Sequence, residues 1–236
     1  MSDVTGSAGA SSPADAAGDE FRGEVVDLLG VLAYGELTAF SRLGADADLA
    51  PTLSAKAEMA GLAVVRFRHF ERLGRRLTEL GVEPQTAMEP FVTAIDAFHE
   101  RTAPSTWLEG LVKAYVGDGI SSDFYREISA YVDPETQELV REVLADDGRA
   151  DFVVREVRAA IEADPRVAGR LALRGRRLVG EALSQAQRVA ADRDSLASLL
   201  VGSVDRPGAD LAELMRMFGR LTEEHTRRMD RLGLMA

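Results

Sequence analysis

From Glu20 to the C-terminus, apolar residues recur three and four positions apart, and only clusters of proline and glycine interrupt the pattern. That spacing lines one face of a helix. No stretch alternates with the period of two that a half-buried strand needs. The chain is therefore predicted to be all-α. Its 236 residues, 46% of them apolar, suffice to bury the core of one large domain. Residues 1–19 lack large apolar side chains after Met1 and are expected to be a disordered tail, leaving 20–236 as a single helical domain.

The punctuation divides this domain. A first helix is expected over about Glu20–Leu43, and a second from Pro51–Thr52 to about Leu80, where Gly81 and Pro84 stop it. A long connection, roughly 81–105, holds one short helix through Phe91, Ile95 and Phe98. The third helix runs from about Thr106 to Val132. Asp133–Pro134 places an N-cap before an N1 proline and opens the fourth, about Pro134–Ala163. Asp164–Pro165 repeats that signal for a fifth helix reaching Asp192, and after Arg206–Pro207–Gly208 a last helix carries Leu211, Leu214, Phe218, Leu221, Met229 and Leu232. Two antiparallel pairs joined by one long crossover is the connectivity of a ferritin-like four-helix bundle, here with two additional C-terminal helices. A simple up-down bundle would have no use for so long a link between its second and third helices.

Composition removes several functions. There is no cysteine, which excludes disulfides, iron–sulfur ligation and thiol catalysis. The N-terminus has no basic segment followed by an apolar one, and no apolar run approaches the roughly 20 residues of a membrane span. A cytoplasmic protein without membrane contact is expected. The net charge of −11 argues against indiscriminate nucleic-acid binding. Phosphate-binding loops, nucleophile elbows and His-Glu-x-x-His motifs are absent from the sequence.

Several helical stripes contain a charged residue where an apolar one belongs: Glu36 in the first helix, His69 in the second, Asp118 between Gly117 and Gly119 in the third, and Asp146 in the fourth. A carboxylate on an inward face is costly unless it is paired or bound to metal. Di-metal bundles take one Glu from each of two helices and a Glu-x-x-His pair from each of the other two. Here the second-helix counterpart is Arg66-Phe67-Arg68-His69 and the fourth-helix counterpart Asp146-Asp147-Gly148-Arg149. The intervals, 33 residues from 36 to 69 and 31 from 118 to 149, make the two halves resemble an internal repeat.

This connectivity, with the segments Phe98-His99-Glu100-Arg101-Thr102-Ala103-Pro104-Ser105-Thr106-Trp107-Leu108-Glu109 and Tyr115-Val116-Gly117-Asp118-Gly119, resembles the actinobacterial ferritin-like proteins grouped with the tRNA methylthio-isopentenyl-adenosine hydroxylase. The resemblance implies a non-haem di-iron centre that uses O2 to hydroxylate a modified tRNA base, with iron as cofactor and tRNA as partner. Carried over by position, Glu36, His69, Asp118 and Asp146 keep metal-ligating chemistry, whereas Arg66 stands where a Glu is expected and Arg149 where a His is expected. A guanidinium adds a fixed positive charge that repels a cation and pairs bidentately with carboxylates. The expectation is an incomplete ligand set held by charge compensation, with reduced or no di-metal chemistry. The alternative is a working O2-dependent di-iron hydroxylase with ligands elsewhere, for which Asp96, His99, Asp123 and His225 are candidates. Against that, His99 reads as a surface or interhelical residue, Asp123 as solvated beside Arg126, and His225 as a core histidine. Arginines 166, 170, 174 and 177 form one basic ridge, and 216, 220, 227 and 231 another. Either is a phosphate-contacting face or a solvated face paired with acids. A homodimer and a small molecule bound near Tyr115 and Tyr125 are further expectations.

Overall fold

The computed structural model describes residues 13–145, 150–203, 206–207 and 209–236. Helices α1 (Pro13–Asp46) and α2 (Leu53–Glu79) form a long antiparallel hairpin. At one end Arg22 donates to the carbonyl of Leu80, and at the other Lys56 pairs with Asp48 at 2.6 Å. Thr52 starts α2 by accepting from the Ala55 amide at 3.1 Å, and Gly81 reverses the chain after it with a φ of 76°. Helix α1 begins within the stretch expected to be a tail; residues 1–12 lie outside the described residues.

The crossover holds two short helices where one was expected: α3 (Pro84–Met88), opened by its proline, and α4 (Val92–Arg101), separated by a 3₁₀ turn over Glu89–Phe91. The fully buried Phe91 anchors this segment against α1. Thr106 then caps α5 (Trp107–Val112), accepting from the Glu109 amide, while Glu109 reaches back to the Ser105 amide at 2.9 Å. The third long helix is continuous in space but not uniform. A π-helical turn, Lys113–Gly117, separates α5 from α6 (Asp118–Ile128).

The expected fourth helix is split. Asp133 caps α7 (Pro134–Val143) as expected, but the helix ends at Leu144, and α8 is described over Ala150–Ala163. Residues 146–149, including Asp146 and Arg149, lie outside the described residues. Next come α9 (Arg166–Asp192) and α10 (Asp194–Val201), then a two-residue antiparallel ladder pairing β1 (Gly202–Ser203) with β2 (Arg206–Pro207). Helix α11 (Leu211–Leu232) is capped by Asp210 and closed by Gly233 at φ 75°.

The buried side chains fall into two apolar clusters. One gathers Leu28, Leu29, Leu73, Leu77, Phe91 and Val140; the other gathers Met59, Leu111, Val116, Val157, Leu171 and Met229. Along α1 the change from one cluster to the other falls between Ala33 and Leu43, and along α2 between Ala63 and Leu73. Glu36, Arg66 and His69 occupy those intervals. The bundle is thus two apolar cores meeting at a polar layer.

Gly30 tests this packing. A Cβ there would run into the carbonyl of Ala87 on α3, whereas a Cβ at the exposed Gly23 of the same helix meets nothing within 4 Å. Gly30→Ala is expected to lower stability by about 1–3 kcal/mol through overpacking. Gly23→Ala is expected to raise it by about 0.5–1 kcal/mol. Denaturant unfolding of the two variants checks the difference.

Candidate functional site

The polar layer is built around one guanidinium. Arg66 Nη1 donates to Glu36 Oε1 at 3.0 Å, and Nη2 donates to Asp118 Oδ2 at 3.2 Å. The remaining Glu36 oxygen, Oε2, lies 3.3 Å from His69 Nδ1. A carboxylate accepts, so the His69 proton sits on Nδ1 facing it. The i, i+3 spacing that would let a Glu and a His share an ion instead lets Arg66 and His69 take one oxygen each of the same carboxylate. Glu36 keeps only 6% of its surface exposed, so these two partners offset the cost of burying it.

The π turn sets the far side of the layer. In an α-helix, residues five apart point about 140° away from each other. A π turn brings them toward one face, so Lys113 and Asp118 interact. Lys113 is itself buried, and its ammonium lies 3.5 Å from the carbonyl of His99. Burial pulls its pKa down to about 8, against the attraction of Asp118 and Asp46. Burial also pushes the Asp118 carboxyl above its ordinary range; Arg66 opposes that shift, and Glu36 adds to it. Of the two glycines flanking Asp118, Gly119 admits a neighbouring helix: a Cβ there would collide with Arg228 of α11, whereas one on Gly117 would meet Leu178 of α9 in ordinary contact.

The donor set does not fit two metal ions. Arg66 fills the space between Glu36 and Asp118 and already uses one oxygen of each. Among the described residues no cluster of three acidic or imidazole side chains has metal-binding geometry. Of the residues expected at the centre, Glu36, Arg66, His69 and Asp118 are brought together, while Asp146 and Arg149 lie outside the described residues.

The alternative candidates are elsewhere. Asp123 is not solvated: it is 7% exposed and held between Arg126, at 2.9 Å, and Arg228. His225 is the expected core histidine, although its Nδ1 has no partner among the described residues. Asp96 accepts from the Tyr34 hydroxyl at 2.9 Å. His99 is interhelical and buried, and burial beside Lys113 and Arg42 lowers its pKa to about 3, leaving a neutral imidazole. Nothing in the sequence singled out Lys113, Arg228 or the π turn, since the local pattern there is ordinary α-helix.

Two spaces meet at the polar layer. An open, charged cleft of about 820 Å³ borders Arg66, His69 and Asp118 from the side of α8 and α11. Opposite it lies a mainly apolar cavity of about 380 Å³, which shares Arg66 and Asp118 with the cleft and runs between α1, α4, α6, α9, α10 and α11. Its wall includes Phe218 and Leu183, which are 46% and 40% exposed and mark its apolar mouth.

The arginine ridges turn largely inward or toward acids. On α9, Arg174 donates to the carbonyl of Thr102 and Arg177 to that of Arg101. On α11, Arg216 pairs with Glu213, Arg220 with Glu127, Arg227 with Glu223 and Glu224, and Arg231 with Asp151.

With this bundle and its centre described, the sequence matches the profile of the ferritin-like domain of actinomycetes over residues 19–203. The chain belongs to that family. The ferritin-like domain also superimposes on a solved Synechococcus structure, "Protein 19 with aldehyde deformylating oxidase activity", with a TM-score of 0.67 and 16% identity. The similarity covers 91% of this chain and 92% of that one, and at this identity it concerns the fold. No curated protein matches the sequence. What the two comparisons share is the ferritin-like fold.

Removing Arg66 strands two carboxylates. Arg66→Met is expected to cost about 3 kcal/mol at neutral pH, the scale of breaking a buried pair by deleting one partner. The pH sign follows from Asp118. Its folded pKa already lies above the unfolded value, so the folded state holds its proton longer and stability falls as pH rises through that interval. Loss of Arg66 raises the folded pKa further. The variant's deficit should therefore shrink as pH falls toward 4, which denaturant unfolding at pH 7 and pH 4.5 measures.

Proposed function

We propose that this ferritin-like domain is a binding protein whose centre is closed by charge pairing and carries no di-metal chemistry. The observation that carries this is Arg66, whose guanidinium holds Glu36 and Asp118 together where a di-iron bundle would hold metal. A cation entering there must displace a fixed positive charge and break two charge-assisted hydrogen bonds. What the bundle retains is the adjoining apolar cavity with its apolar mouth, a volume suited to a small, mainly apolar ligand. The Synechococcus protein of the same fold is named for activity on an aldehyde. In this chain the corresponding reading is capture of an apolar molecule without oxidation.

The second reading, an O2-dependent di-iron hydroxylase of a tRNA nucleoside, rests on the sequence resemblance around 91–160. It needs a cationic RNA-facing surface, and the pairing of the α11 arginines with acids counts against one. It also needs iron at the centre.

Elemental analysis of protein produced in iron-supplemented medium distinguishes the two. The charge-closed centre predicts well below one iron per chain. Two irons per chain would overturn it.

A further inference from the structure

Five side chains line both the charged cleft and the apolar cavity: Arg66 of α2, Asp118 and Ser122 of α6, Leu144 at the end of α7, and Leu221 of α11. Drawn from four helices, they ring the place where the two spaces adjoin. The ring is mixed in character. Arg66 and Asp118 are joined by their ion pair at 3.2 Å, whereas Leu144 and Leu221 are apolar. A hydrocarbon chain that passes along the two leucines leaves the ion pair in place. Asp118 and Ser122 are four residues apart, so they lie one turn from each other on the same face of α6.

The same turn carries a donor with nothing to bind. The Arg228 guanidinium crosses where a Cβ on Gly119 would stand, which seats it on the turn between Asp118 and Ser122. Its Nη2 donates to Asp123 Oδ2, and Asp123 Oδ1 accepts from Arg126 at 2.9 Å, so both oxygens of this buried acid are taken. Arg228 Nη1 has no partner among the described residues. Ser122, three residues from Gly119, is its neighbour on the helix surface. A ligand atom seated here meets donors, and it must be an acceptor. Its charge follows from the cleft wall at the ring, where Arg66, Arg126 and Arg228 stand against Asp118 and Asp123. Glu36 lines only the cavity side, and His69 is turned to it. Farther out, Arg220, Arg227 and Arg231 pair with acids of their own. One guanidinium is therefore unmatched on the cleft side of the ring, and a guanidinium stays charged at any accessible pH. A single negative charge completes the set through charge-assisted hydrogen bonds. Behind the ring, a cavity of about 380 Å³ holds about a dozen non-hydrogen atoms if each takes roughly the volume of a water molecule.

We propose that cleft and cavity form one site for a monoanionic amphiphile, a medium-chain carboxylate. Its head accepts from Arg228 Nη1 and the Ser122 hydroxyl on the cleft side of the ring, and its alkyl chain runs along Leu144 and Leu221 into the cavity. This rests on the binding-protein reading above and adds the class of ligand to it.

Calorimetric titration of the whole chain at pH 7.5 with sodium decanoate, 1-decanol and decyltrimethylammonium, each below its micellar or solubility limit, tests it. Decanoate is expected to bind at least about tenfold more tightly than the other two. Arg228→Gln, which leaves Asp123 its bond to Arg126, should bring decanoate down to the affinity of decanol. Ala186→Phe, which fills the cavity that Ala186 lines, should abolish the binding of both. Decyltrimethylammonium binding as tightly as decanoate would overturn the proposal. So would a folded Arg228→Gln protein that keeps the full preference for decanoate, or a folded Ala186→Phe protein that keeps decanoate affinity. The order of the three ligands is read on the unaltered protein and does not depend on either variant folding. Decanol binding with no gain for decanoate would sink the anionic head and leave the apolar-capture reading standing. Absence of binding by all three would sink both.

Discussion

The bundle is organised by the bridge that Arg66 makes between Glu36 and Asp118. Three long helices meet at that point, and each brings to it a charged group that could not be buried alone. A guanidinium is the one side chain that can offer separate donors to two carboxylates in a plane while remaining charged at any accessible pH. With Arg66 in place, α1, α2 and α6 are tied at mid-height, and the two apolar clusters can close above and below. Without it, the bundle would have to protonate its acids, admit water or bind a cation.

The other features of the layer follow from this constraint. The π turn turns Lys113 toward Asp118 and supplies a second, weaker countercharge. Gly119, beside Asp118, lets Arg228 of α11 cross close to α6. Arg228 passes over Gly119 to reach Asp123, so a second buried acid one turn further along α6 is neutralised from α11. The centre is therefore a sequence of paired charges along one helix, each satisfied from a different neighbour. Such pairing lends geometric specificity more than net stability, since the desolvation of buried charges offsets much of their attraction.

Much of this was legible in the sequence because it was written in spacing. The helix-start signals at Thr52 and Asp133 each became a side-chain cap, that at Asp164–Pro165 opened α9 without one at its N-cap, and the long link between the second and third helices predicted the crossover. Glu36, Arg66, His69 and Asp118 stood out because each is charged on an apolar stripe, and all four converge. What the sequence hid depends on geometry rather than pattern. A π turn changes the angle between residues without changing their composition, so Lys113 looked like any surface lysine. The break between α7 and α8 fell in a stretch whose apolar period continues past it. The burial of His99 and Asp123 was set by packing from α9 and α11, helices distant in the chain, so their local neighbours pointed to a more exposed setting.

The relation to the Synechococcus protein is one of fold, at 16% identity. At the centre of this chain stands a cation supplied by its own second helix. The most direct test is anomalous diffraction at the iron edge from crystals grown with ferrous iron under anaerobic conditions. The account predicts guanidinium density between Glu36 and Asp118 and no anomalous peak within ligand distance of either carboxylate. Two iron peaks there, with Arg66 turned away from both acids, would contradict it.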